Sequence, residues 1–232
     1  MSGFAAVVRS ANTLHDLELS VATTEALPYY KTDLPLGRSG DWLLERFEVV
    51  GEPGFDPTTH DAPDCARRRP GTYTRLKCGD EVFMTDLYDE WFTQKIAVEQ
   101  ALARGGHVLI SGLGLGLILD SIFRAPGSTV ERITLLELST DVIALVAPHL
   151  EARYPGRLEI LQADALAWQP PTGTHYSVVW HDIWPNPQDP ACEADMVALA
   201  DRYRDRCDWH GSWPREYRWI YEGLAWDREG GD

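Results

Sequence analysis

Aliphatic and β-branched residues cluster along this chain in short runs that alternate with longer stretches of helical spacing. His107–Ser111 and Val130–Leu136 read as a first and second buried strand, Leu158–Leu161 as a third and Ser177–His181 as a fourth. Between them, Leu117–Phe123 and Asp141–Leu150 carry helical patterns, the second capped by Ser139 or Thr140, and Glu193–Arg206 continues as a helix after the break at Pro185-Asn186-Pro187. Strand and helix in alternation predict parallel βαβ units. Upstream, Tyr73–Leu76 and Val82–Met84 flank Cys78-Gly79-Asp80 as a hairpin, and Asp89–Leu102 follows as one lead-in helix closed by Gly105-Gly106. Residues 1–70, rich in Pro, Gly, Asp and Thr with apolar islands at Trp42-Leu43-Leu44 and Phe47–Val50, read as a small β-containing region. The division expected is 1–70, 71–105 and 106–232. Little chain is left after Asn186, which leaves room for a sheet shortened by one or more late strands before a helical C-terminus opening at Ser212-Trp213-Pro214.

Composition narrows the partners. A length of 232 residues with 44% hydrophobic content supports one main core. The net charge of −15 disfavours nucleic acid. The best candidate for a basic patch is Arg67-Arg68-Arg69, and it reads as a solvated loop. The four cysteines have no CxxC spacing, and Cys207 with His210 would be too few ligands for a closed metal site, so no metal is expected. Met1–Ser20 lacks an apolar signal core, and Val108–Leu119 is too short to span a bilayer. A soluble cytoplasmic protein without a membrane partner follows as the expectation, and a homodimer is left open.

The candidate chemistry gathers at predicted strand ends. Val108–Ser111 runs into Gly112-Leu113-Gly114-Leu115-Gly116, a GxGxG turn where a backbone without Cβ atoms can approach a nucleoside. A dinucleotide turn, GxGxxG, would need glycine where Leu117 stands, so a phosphate-free nucleoside such as S-adenosylmethionine suits this spacing better. Glu137, with Leu138 beside it, closes the second strand where a carboxylate accepts from ribose hydroxyls. Asp164-Ala165 follows the third, within reach of an adenine amino group, and Asp182 ends the fourth. Ligands of open α/β sheets collect at such carboxyl ends. Asp182 is the candidate base and His181 its alternative, although strand alternation lets only one face the ligand. The tryptophans Trp180, Trp184, Trp209, Trp213, Trp219 and Trp226 serve packing first and an apolar acceptor pocket second.

These residues resemble class I S-adenosylmethionine-dependent methyltransferases and, within that superfamily, are closest in pattern to the polyamine aminopropyltransferases, the spermidine synthase family. The resemblance runs from about Thr74 to Asn186 and implies a Rossmann-like methyltransferase fold with a central, mostly parallel sheet. It further implies S-adenosylmethionine as cofactor, held by Gln94, Ser111, Gly112, Gly114, Gly116, Glu137, Leu138, Asp164 and Ala165. It places Asp182 where that family keeps an aspartate that deprotonates the attacking amine. Departures weaken the polyamine half: Leu115 replaces the acid of the family's GGGDG turn, Thr93 its tyrosine, Lys95 its glutamate and Pro185 a second aspartate. A multiply charged cation needs paired carboxylates when partly buried. Methyl transfer to a small-molecule acceptor is therefore the leading expectation, with aminopropyl transfer and a non-catalytic nucleoside-binding protein as its rivals.

Overall fold

The computed structural model describes residues 27, 29–50, 70–185 and 191–216. The Arg67–Arg69 run, Met1–Ser20, Cys65, Asn186, Trp219 and Trp226 lie outside them. Two sheets form. The first is antiparallel, in the order β1 (Gly37–Ser39), β2 (Trp42–Val49), β3 (Gly71–Cys78), β4 (Glu81–Thr85). It draws strands from both sides of residue 70. β3 and β4 close through Gly79, whose φ of 57° suits glycine in a tight hairpin turn. Leu44 faces Leu76 across β2 and β3, and both are buried.

The second sheet is parallel throughout, in the order β7 (Leu158–Gln162), β6 (Val130–Glu137), β5 (Gly106–Ser111), β8 (Tyr176–His181), β9 (Cys207–Ser212). This is a Rossmann-like α/β sheet. β5 sits at its centre, and Val108, Leu109 and Ile110 are each no more than 1% exposed, which is why its sequence is apolar without alternation. One face carries Val108, Ile110, Ile133, Leu135, Val178 and Trp180. It is covered by α1 (Tyr88–Thr93), α2 (Lys95–Arg104), α3 (Leu117–Phe123) and α4 (Thr140–Arg153). On the other, Leu109, Leu136 and Val179 pack on α5 (Ala191–Tyr203) through Cys192, Met196 and Leu199. Ser139 caps α4 by accepting from the amide of Val142 at 3.2 Å.

Two features differ from the sequence reading. The lead-in helix is not continuous: it breaks at Gln94 (φ −104°, ψ 2°) into α1 and α2. The C-terminal part is not helical throughout, because β9 adds a fifth parallel strand ahead of the helical turn at 213–216. β9 is an edge strand in the described structure, and its sequence, Cys-Asp-Trp-His-Gly-Ser, has little strand propensity of its own.

The strand order reverses beside β5. The chain leaves β5 toward β6 and β7, then returns to β8 on the opposite flank. The segments that follow β5 and β8 therefore part company and open a crevice between them. The small sheet reaches this edge: Ser39 Oγ donates to Asp141 Oδ1 on α4 at 2.7 Å, and the Met84 sulfur of β4 accepts from the Leu115 amide at 3.2 Å.

Candidate functional site

A cavity of about 390 Å³ occupies that crevice. Its walls come from the glycine turn after β5, the ends of β6, β7 and β8, the hairpin residues Phe83 and Met84, and the break between α1 and α2. The glycines shape the turn by fitting the protein to itself. A β-carbon at Gly112 (φ 97°) would collide with the Asp182 carbonyl, one at Gly114 (φ 48°) with the Met84 sulfur, and one at Gly116 (φ 68°) with Leu150 of α4. The space above Gly114, expected to receive a ligand, is thus filled by the Met84 thioether. Glu137 holds the same turn from β6. Its Oε2 accepts from the Leu113 amide at 2.9 Å and its Oε1 from the Ser139 amide at 2.8 Å.

The cavity brings together Gln94, Gly112, Gly114, Gly116, Glu137, Leu138, Asp164, Ala165 and Asp182. Asp164 caps its own turn, Oδ1 accepting from the Leu166 amide at 2.9 Å. Gln94 reaches across from the helix break and donates through Nε2 to Asp182 Oδ2 at 2.8 Å, a pairing of residues far apart in sequence. Burial pushes the Asp182 carboxyl up to about 7.

Ser111 and His181 stand elsewhere. Both are fully buried, and they bond to each other, His181 Nδ1 to Ser111 Oγ at 2.8 Å. The His181 ring packs against Tyr203 and His210 at centroid distances of 5.4 and 5.1 Å, on the α5 side of the sheet. Burial holds its pKa well below the ordinary value, with His210 and Arg202 adding in the same direction. The alternation that admits one of the adjacent pair to the crevice has turned Asp182 toward it and His181 away.

Several lining residues carry no motif. Glu90 adds a carboxylate, and Trp42 and Phe83 (centroids 4.7 Å apart) form an aromatic rim. Trp180, Trp184 and Trp213 line the cavity, while Trp209 stacks behind Trp180 at 6.2 Å. Trp213 Nε1 donates to Thr93 Oγ1 at 3.0 Å. Lys95, which replaces an acid of the resembled family, pairs with Glu99 at 3.0 Å and is not among the residues that line the cavity. No group of three or more His, Cys, Asp or Glu among the described residues is arranged to hold a metal ion. No helix among them is long and apolar enough to cross a membrane.

No protein-family model matches the chain, and no curated protein matches it in sequence. Solved structures do. Spermidine synthase from Thermotoga maritima aligns over 73% of this chain and 52% of its own, with 20% identity and a TM-score of 0.42. The 23S rRNA methyltransferase ErmE aligns over 47% and 40%, with 20% identity and a TM-score of 0.34. A provisionally assigned methyltransferase from Escherichia coli aligns over 41% and 51%, with 19% identity and a TM-score of 0.33. The aligned part thus spans about half or less of each of these chains.

Proposed function

We propose that the chain binds S-adenosylmethionine in this cavity and passes its methyl group to a small-molecule acceptor. The observation that carries the reading is the sign of the lining. Glu90, Glu137, Asp164 and Asp182 bring four carboxylates to a mostly apolar space, and no Lys, Arg or His is among the lining residues in the described part of the chain. Such a field favours cations and repels phosphates, so a sulfonium nucleoside suits it and a dinucleotide does not. Each Glu137 oxygen accepts one amide bond and keeps a second lone pair for a ribose hydroxyl. Leu138, Ala165 and Leu166 offer apolar walls to a purine, with Asp164 at its edge.

When bound, the sulfonium supplies a methyl group already activated toward a nucleophile. The chain's task is then to align the acceptor and exclude water. Asp182, poised near neutrality by burial, is suited to take a proton from an acceptor that must lose one. Gln94 fixes one oxygen of that carboxylate and leaves the other for the acceptor. Trp42, Phe83, Trp180 and Trp213 suit an acceptor with an apolar body, uncharged or cationic.

Calorimetric titration with S-adenosylmethionine, S-adenosylhomocysteine and decarboxylated S-adenosylmethionine tests the reading, beside incubation with methyl-labelled cofactor. The expected Kd for the first two is micromolar, about 8 kcal/mol. Absence of binding at millimolar ligand sinks it. Preference for the decarboxylated form favours aminopropyl transfer, and binding without transfer to any acceptor leaves a non-catalytic protein.

A further inference from the structure

The turn that carries Asp164 has its amides and its carbonyls satisfied from different sides. Asp164 itself takes the amides: its side chain accepts from Leu166, and its carbonyl accepts from Ala167 at 3.0 Å and Trp168 at 2.7 Å. The carbonyls of Ala165, Leu166 and Trp168 meet one residue of α5. Arg202 donates through one terminal nitrogen to Ala165 O at 2.8 Å and Trp168 O at 2.9 Å, and through the other to Leu166 O at 2.5 Å. Asp164, Ala165 and Leu166 line the cavity at the ends of the strands, and Ala165 also belongs to the core cluster that Cys192, Met196 and Leu199 of α5 form on one face of the sheet.

We infer that Arg202 is a positioning residue for the ligand-binding wall, gripping the Asp164 turn from behind. A planar guanidinium presents its donors as a rigid fork that can span three carbonyls, which a lysine ammonium on a flexible stem does not reproduce. Arg202 is not itself among the residues that line the cavity, and it meets the wall through the carbonyls of the turn. That the gripped wall receives S-adenosylmethionine rests on the function proposed above.

The test uses the full chain with Arg202→Met, which keeps an apolar stem and removes the donors, and Arg202→Lys, which keeps charge without the fork. Amide hydrogen exchange of the free protein reads the grip directly. Exchange at Leu166, Ala167 and Trp168 should accelerate about tenfold or more in Arg202→Met and less in Arg202→Lys, while β5 and β6 stay protected. Titration with S-adenosylhomocysteine should then show a Kd raised about tenfold in Arg202→Met and partly restored in Arg202→Lys. Unchanged exchange at these amides overturns the inference, as does a loosened turn with unchanged Kd. If the wild-type chain binds no S-adenosylhomocysteine, the proposed ligand falls, and the exchange data alone decide whether Arg202 holds the turn.

Discussion

His181 and Asp182 are neighbours in sequence and belong to two different environments. On the cavity side, Asp182 meets Gln94 at the edge of a space open to a ligand. On the α5 side, His181 is enclosed with Ser111, Tyr203 and His210. Burial shifts both groups toward their neutral forms, raising the acid and lowering the base. The consequence differs because access differs. A carboxyl near neutrality beside a cavity can exchange a proton with a substrate, whereas a neutral imidazole sealed under a helix can only hold structure. A perturbed titration is thus a functional signal only where a ligand can reach it.

The largest effect should come from Asp182→Asn, which keeps shape and removes basicity. Turnover of an acceptor that must lose a proton should fall by about two to four orders of magnitude, with cofactor affinity little changed. Steady-state rates beside a cofactor titration check this, and a matching loss of affinity would move Asp182 from the reaction into the cofactor's shell. The mirror experiment on the closed side is His181→Ala. It leaves Ser111 Oγ without this partner and opens a cavity, so unfolding free energy should drop by about 2–4 kcal/mol while the folded protein binds cofactor as before. Denaturant midpoints measured beside binding decide it; a His181 that mattered to the ligand would cost affinity too.

The two sides also separate by pH. Folded Asp182 titrates at about 7, against about 3.9 when unfolded. The folded state holds the extra proton in that window, so this stability is present at acid pH and lost as pH rises through 7. His210 is pushed by burial down to about 4, and its contribution has the opposite sign: present above about 6.5 and lost as pH falls toward 4. Relative to wild type, Asp182→Asn should therefore gain stability as pH rises from about 4 to 7, and His210→Asn as pH falls across about 6.5 to 4. Parallel stability profiles for all three proteins would contradict these assignments.

Strands buried on both faces were legible in the sequence because their apolar content is dictated by the place they fill. β5, β6 and β8 appear within a residue of their predicted bounds, and so does β7, an edge strand whose Glu159 and Gln162 are exposed. So was the gathering of Glu137, Asp164 and Asp182, since strand ends of one sheet must share an edge. β9 was not, because His210, Gly211 and Ser212 join the sheet through tertiary pairing with β8. Nor was the helix break at Gln94, whose side chain turns to a carboxylate supplied by β8. Met84 of β4, packed on the glycine turn, and Arg202, bonded to the Asp164 turn, sit in segments of ordinary composition, and only the fold gives them a neighbour to act on. Alternation alone could say that one of His181 and Asp182 faces the ligand; α5 and β9, by sealing one side, determine which.

The claim on which the rest depends is that Glu137 holds a nucleoside cofactor as well as the turn beneath it. Calorimetric titration of S-adenosylhomocysteine into the wild-type chain and Glu137→Ala addresses it without knowledge of the acceptor. Micromolar binding to wild type is expected, with a loss of about 1.5–3 kcal/mol in the variant, the scale of a hydrogen bond to a charged group. Equal affinity in the two proteins, with the variant folded, would contradict it.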